Sequence, residues 1–147
     1  MAEQTGEKLI PGENTHENII FACFGGLSNT GLTTAFASIE VVKELGLKKV
    51  GIGCLPGLPV NNQTVLQKTK VAKKVITVDG CPFECSRKVA ETAGVKITRA
   101  IVLARDIGMK KMSLAQDIAT GARPLAEYVS AEDVAKAKEL IKQALEE

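Results

Sequence analysis

The sequence predicts an α/β domain: one three-layer unit on an open, mainly parallel four-stranded sheet. Three observations lead there. Short apolar runs alternate with segments of helical apolar spacing, strand then helix, four times over. The strand candidates are continuous apolar runs, as in sheets covered on both faces. The connections are long enough for right-handed helical crossovers. Together these give a Rossmann- or flavodoxin-like arrangement.

Residues 1–17 are polar and aperiodic, carry Pro11 and Gly12, and read as a mobile tail ahead of a domain spanning 18–147. Ile19–Cys23 is a buried strand ended by Gly25-Gly26. Ser28-Asn29-Thr30 offers N-cap chemistry for a first helix. In that helix Leu32, Ala35, Phe36, Ile39, Val42 and Leu45 recur at helical spacing up to Gly46. Lys49–Cys54 is a second strand, closed by Leu55-Pro56-Gly57. Asn61 and Asn62 cap a second helix running to Ala72. Lys74–Val78 is a third strand, broken at Asp79-Gly80. Cys81-Pro82 opens a third helix, with Pro82 at its tolerated first position, and this helix ends at Gly94. Arg99–Ala104 is a fourth strand and Met112–Thr120 a short helix. Ser130 with Asp133 has capping-box spacing ahead of a last helix to Leu145.

At 147 residues the chain suits one domain. Hydrophobic residues make up 45% but aromatics only 3%, so the core must be Val, Ile, Leu and Ala. The net charge of +2 is spread along the chain, which argues against nucleic acid or an anionic membrane as partner. No apolar run reaches the roughly 20 residues of a membrane span, and the first residues lack a secretory pattern. The expectation is a cytoplasmic protein with reduced thiols, where cysteines signal metal or redox chemistry.

On this frame Cys23 ends the first strand, Cys54 ends the second, Cys81 follows the third, and Cys85 lies four residues beyond Cys81. All four therefore fall at the carboxyl edge of the sheet, where such folds build their sites. Helix N-termini there stabilise thiolates. Four sulfur donors suit tetrahedral zinc, though iron–sulfur clusters and other soft metals accept them too. The spacing alone is weak evidence, because it lacks the paired knuckles of a zinc ribbon. The competing reading, that these are small buried apolar residues, ranks second.

Four separated segments resemble one family. Val78-Asp79-Gly80-Cys81-Pro82 followed by Cys85 is similar to the signature of the DGC domain family, named for its Asp-Gly-Cys tripeptide. Cys23 with Gly25-Gly26 and Ser28-Asn29-Thr30-Gly31 resembles its Cys-Ser-Gly-x-Ser-x-x-Gly segment. Cys54-Leu55-Pro56-Gly57 resembles its Cys-Leu-x-Gly segment, and Asp106–Lys111 the stretch that closes these domains. The likeness runs over residues 19–112, and Phe24 departs from it where the family often has Ser. It implies zinc held by Cys23, Cys54, Cys81 and Cys85, and implies no particular biological task.

Other candidates yield to plainer readings. Gly25–Gly31 lacks the Lys-Ser/Thr of a phosphate loop and reads as a tight turn bringing backbone donors to Cys23. Asp79 reads as a turn carboxylate accepting backbone N–H groups, not as a base. His16, the only histidine, reads as solvated. Lys68, Lys70, Lys73 and Lys74 read as a solvated face, and Met109 and Met112 as core filler.

The leading function is thus a zinc-binding protein whose partner is the metal ion, in a structural, sensing or metal-handling role. Full coordination by four thiolates leaves no open position for hydrolysis. The alternatives are a thiol–disulfide redox protein using Cys81 and Cys85 and an iron–sulfur protein. No acid–base pair or cofactor fingerprint marks an enzyme. An edge strand leaves a homodimer open.

Overall fold

The apolar run after residue 17 becomes β1 (Asn18–Ala22), buried at every residue, as a central strand must be. The computed structural model describes residues 6–147. β2 (Val50–Ile52), β3 (Lys74–Asp79) and β4 (Arg99–Val102) join β1 in one four-stranded sheet of order β2-β1-β3-β4. Every pairing is parallel, with Ile20 opposite Ile52 and Ile76, and Val78 opposite Ile101. The predicted open α/β architecture is what forms. Chain order reverses between β1 and β3, so the topological switch point lies between their carboxyl ends.

The helices are α1 (Asn29–Leu45), α2 (Gln63–Val71), α3 (Cys85–Thr92), α4 (Leu103–Asp106) and α5 (Ala131–Glu146). Strand alternation divides the core in two. Ile20, Val50, Ile76 and Val78 pack on one face against Val41 of α1 and Ile141 of α5. Ile19, Phe21 and Val75 pack on the other with Leu58 and Ala90, flanked by Val65 of α2 and Val89 of α3. Asn62 caps α2 by accepting from the Thr64 and Val65 N–H groups at 3.1 and 3.3 Å. Ser130 caps α5 by accepting from the Asp133 N–H at 3.0 Å.

α1 does not bury the face its apolar spacing predicts. Thr30, Thr33, Thr34, Ala37, Ser38 and Val41 are buried, whereas Phe36 and Ile39 stay 42% and 44% exposed. The hydroxyls of Thr33 and Thr34 donate to the Asn29 and Thr30 carbonyls, both at 2.8 Å, so burying them leaves no donor unpaired. Small side chains then let the helix lie close on the sheet. Periodicity registered apolar character and missed closeness of approach.

Two further expectations change. Residues 112–120 form only a short 3-10 turn at Leu114–Asp117, because side chains gather the chain into bends. Asp117 accepts from Arg123 at 2.9 Å and from the Tyr128 hydroxyl at 2.6 Å. His16 is not simply solvated: its ring covers Gly51 and its Nδ1 meets the Leu47 carbonyl.

Of the expected tail, residues 1–5 lie outside the described residues. Further on, Gly12 donates to the Thr15 carbonyl at 2.9 Å, and Glu17 pairs with Lys49 at 2.8 Å. In the lysine cluster, Lys74 donates to the Leu145 carbonyl at 2.8 Å near the end of α5, and Lys73 lies 3.9 Å from Glu17. A groove of about 790 Å³ between α2 and the α3–β4 turn includes Lys70 and Lys73, away from the cysteines. No described helix is long and apolar enough to cross a membrane.

β4 ends one side of the sheet, and α4 folds back on it. Asp106 accepts the Val102 N–H at 2.9 Å and Arg105 donates to the Ala100 carbonyl at 3.2 Å, while the two side chains pair at 2.8 Å. Charged groups thus occupy backbone sites that an added strand would use. Asp106→Ala is expected to raise concentration-dependent self-association in sedimentation velocity relative to the parent chain. An unchanged sedimentation profile would show that the pair does not guard this edge.

Candidate metal centre

The cysteines follow from how each strand ends. Cys23 leaves β1 with its N–H still bonded to the Val78 carbonyl at 3.0 Å. Cys54 leaves β2 and starts a 3-10 turn, its carbonyl accepting from Gly57 at 3.0 Å. Cys81 sits in the turn after β3, its carbonyl accepting from Glu84 at 3.2 Å. Cys85 is the first residue of α3. All four lie at the carboxyl edge, and Cys23 and Cys81 flank the switch point. All four are free thiols; Cys54 is exposed and the others half-buried.

The third helix starts one turn later than predicted. Cys81 and Pro82 lie in a bend, and the chain enters α3 through Glu84 in the left-handed region at φ 57°. Such a conformation costs a non-glycine residue about 1–2 kcal/mol. Glu84 has a compensating partner: Arg87 grips its carboxylate at 2.9 and 3.0 Å and also reaches Glu91 at 3.0 Å. Those contacts hold the Glu84 carboxyl below its ordinary range.

Glu84 makes no side-chain cap to α3; Asp79, on β3, serves instead. Its carboxylate accepts the Ser86 and Arg87 N–H groups at 2.7 and 3.1 Å. Asp79 is 2% exposed. Burial pushes its pKa up, and the Glu84 charge adds to that, against the two N–H groups. This is the structural carboxylate that the sequence reading favours over a base.

Gly80 follows because nothing larger fits. A Cβ there would lie 2.4 Å from the Thr30 carbonyl carbon in the first turn of α1. A Cβ on Gly31 would in turn lie 2.1 Å from the Gly25 carbonyl oxygen. The Asp-Gly-Cys tripeptide is therefore a mechanical unit: Asp79 caps α3, Gly80 admits α1, and Cys81 is carried to the gap between them.

Ser28 caps α1, accepting from the Gly31 N–H at 3.3 Å. Asn29 has a role that sequence reasoning missed. Its side chain donates to the Lys110 carbonyl at 3.0 Å and accepts the Met112 N–H at 2.6 Å. With Leu114 N–H donating to the Leu27 carbonyl at 3.0 Å, the 110–114 segment is stitched to the first cysteine loop. No local pattern signals a contact across some 80 residues.

Burial raises the pKa of the Cys23 thiol; the Gly25 N–H opposes this, and the charges of Cys85, Asp79 and Cys81 raise it further. Among the described residues no three His, Cys, Asp or Glu side chains are already gathered at metal-binding geometry. Sulfur is a donor that zinc and other soft metals accept.

The chain is an open parallel α/β domain with Cys23 and Cys81 flanking its switch point. The DGC domain model matches residues 19–139, and the chain belongs to that family. No curated protein and no solved structure matches it. Gly80→Ala is expected to destabilise the fold by about 1–3 kcal/mol, the range for overpacking a filled site. Urea unfolding checks this; an unchanged midpoint would mean that the Thr30–Gly80 contact yields freely.

Proposed function

We propose that this chain binds a metal ion, zinc, through the thiolates of Cys23, Cys54, Cys81 and Cys85, in a metal-handling, sensing or structural role. One observation carries the reading: the only four cysteines, drawn from three separate strand ends and one helix start, all lie at the carboxyl edge. Membership of the DGC domain family supports a metal-binding role. Bound zinc would supply a redox-inert charge that holds four chain segments together.

The chain's own residues do the rest. At Cys23 the Gly25 N–H counters the effect of burial on the thiol. α3 begins at Cys85, in the turn that Asp79 caps. Asp79 holds that turn in place without itself being a ligand. The cytosol is the compartment this chemistry suits, since it keeps thiols reduced.

Full-length protein purified without added metal should carry about one equivalent of zinc, as one tetrahedral site requires. Cys81→Ser and Cys85→Ser should each lose most of it. Less than half an equivalent in the parent chain, unchanged on reconstitution in reductant, would sink the reading. A coloured anaerobic sample would favour an iron–sulfur cluster. A Cys81–Cys85 disulfide forming at cellular glutathione potentials would favour a redox role.

A further inference from the structure

The groove between α2 and the α3–β4 turn has a chemistry of its own. Its volume of about 790 Å³ suits a small organic molecule. It lies at the amino ends of β3 and β4, the edge opposite the cysteines: Val75 is the second residue of β3, and Thr98 immediately precedes β4. Leu66, Val95 and Ile97 form its apolar wall around Val75, all of them members of the α2–α3 core face. These are branched aliphatic side chains, and among the described residues no aromatic ring lines the groove. An aliphatic body fits such a wall, whereas a ring finds nothing to stack on.

The charge of the groove has one sign. Lys70 and Lys73 line it on the α2 side and Lys96 on the other, and no acidic side chain among the described residues lines it. Lys73 is held loosely, 3.9 Å from Glu17, which already bonds Lys49 at 2.8 Å. Lys70 and Lys96 have no ion-pair partner among the described residues. A cation in the last turn of α2 complements the helix dipole, which accounts for Lys70. The dipole does not account for Lys96, which comes from the α3–β4 turn across the groove. Thr98 adds a donor: its Oγ1 accepts the Val75 N–H at 3.0 Å, which leaves its O–H to bond an occupant. A cleft with charge of one sign over an apolar wall concentrates ions of the other sign.

We propose that this groove binds a small aliphatic acid. Lys70, Lys73 and Lys96 hold its carboxylate or phosphate head, and its hydrocarbon body lies against Leu66, Val95 and Ile97. The site shares no residue with the thiol edge and does not depend on the zinc reading.

The test is an amide NMR titration of the full-length protein with octanoate, octyl phosphate, octanol and inorganic phosphate. Octanoate or octyl phosphate should bind saturably at one site and shift the amides of residues 69–73 and 93–98. A preference between these two identifies the head group and supports the site either way. Octanol and inorganic phosphate each carry half of the chemistry and should bind about tenfold more weakly or worse. Lys70→Gln and Lys96→Gln should each weaken binding of the acid about two- to fivefold, the range of one exposed ion pair. Added salt should weaken it further. Lys111→Gln, at an exposed lysine outside the groove, should leave it unchanged.

Octanol binding as tightly as octanoate would overturn the proposal, because the lysines would then play no part. Inorganic phosphate matching octyl phosphate would overturn it by dismissing the apolar wall. Shifts confined to other surfaces, or no saturable binding of either acid, would overturn it outright. So would equal affinities in Lys70→Gln, Lys96→Gln and Lys111→Gln. None of these outcomes bears on the metal reading, which the zinc content decides separately.

Discussion

A parallel sheet whose two faces must both be covered is the constraint from which the rest of this molecule follows. Each strand ends at the same edge and hands the chain to a helix that returns over one face. The carboxyl edge is thereby the one place where four strand ends meet. The strand order β2-β1-β3-β4 adds a reversal between β1 and β3. The helices that follow these two strands lie on opposite faces, α1 on one and α3 on the other. The gap between their first turns is where the Asp-Gly-Cys tripeptide lies.

That gap is narrow, and its width explains residues that chemistry alone does not. Gly80 and Gly31 are present because backbone approaches backbone there. The threonines and serine on the buried side of α1 are present because larger side chains would hold the helix off the sheet. Asp79 replaces the cap that Glu84, in its left-handed conformation, cannot provide. The bend at Cys81–Glu84 is held by the Glu84–Arg87–Glu91 ion pairs on one side and by Asp79 on the other. A thiol placed in such a bend is presented by a rigid support.

The same geometry makes the cysteines unequal. Cys23, Cys81 and Cys85 are half-buried, whereas Cys54 stands exposed at the end of β2. The stitching of residues 110–114 to Leu27 and Asn29 ties the irregular C-terminal third to the first cysteine loop.

Sequence by itself determined the element order, the parallel class of the sheet, the caps at Ser28, Asn62 and Ser130, and the address of all four cysteines. These are local properties: apolar runs, turn residues and cap chemistry act over a few neighbours. Tertiary structure alone decided which face of α1 is buried, where α3 begins, the link from Asn29 to Met112, and the greater exposure of Cys54 among the thiols. Each depends on closeness of approach or on a partner far away in sequence. Thr33 and Thr34 look polar until their hydroxyls bond the preceding turn, and Pro82 looks like a helix start until Asp79 caps the helix one turn later. The four cysteines share an edge because strands end there, and they differ in exposure because each leaves its element through a different turn.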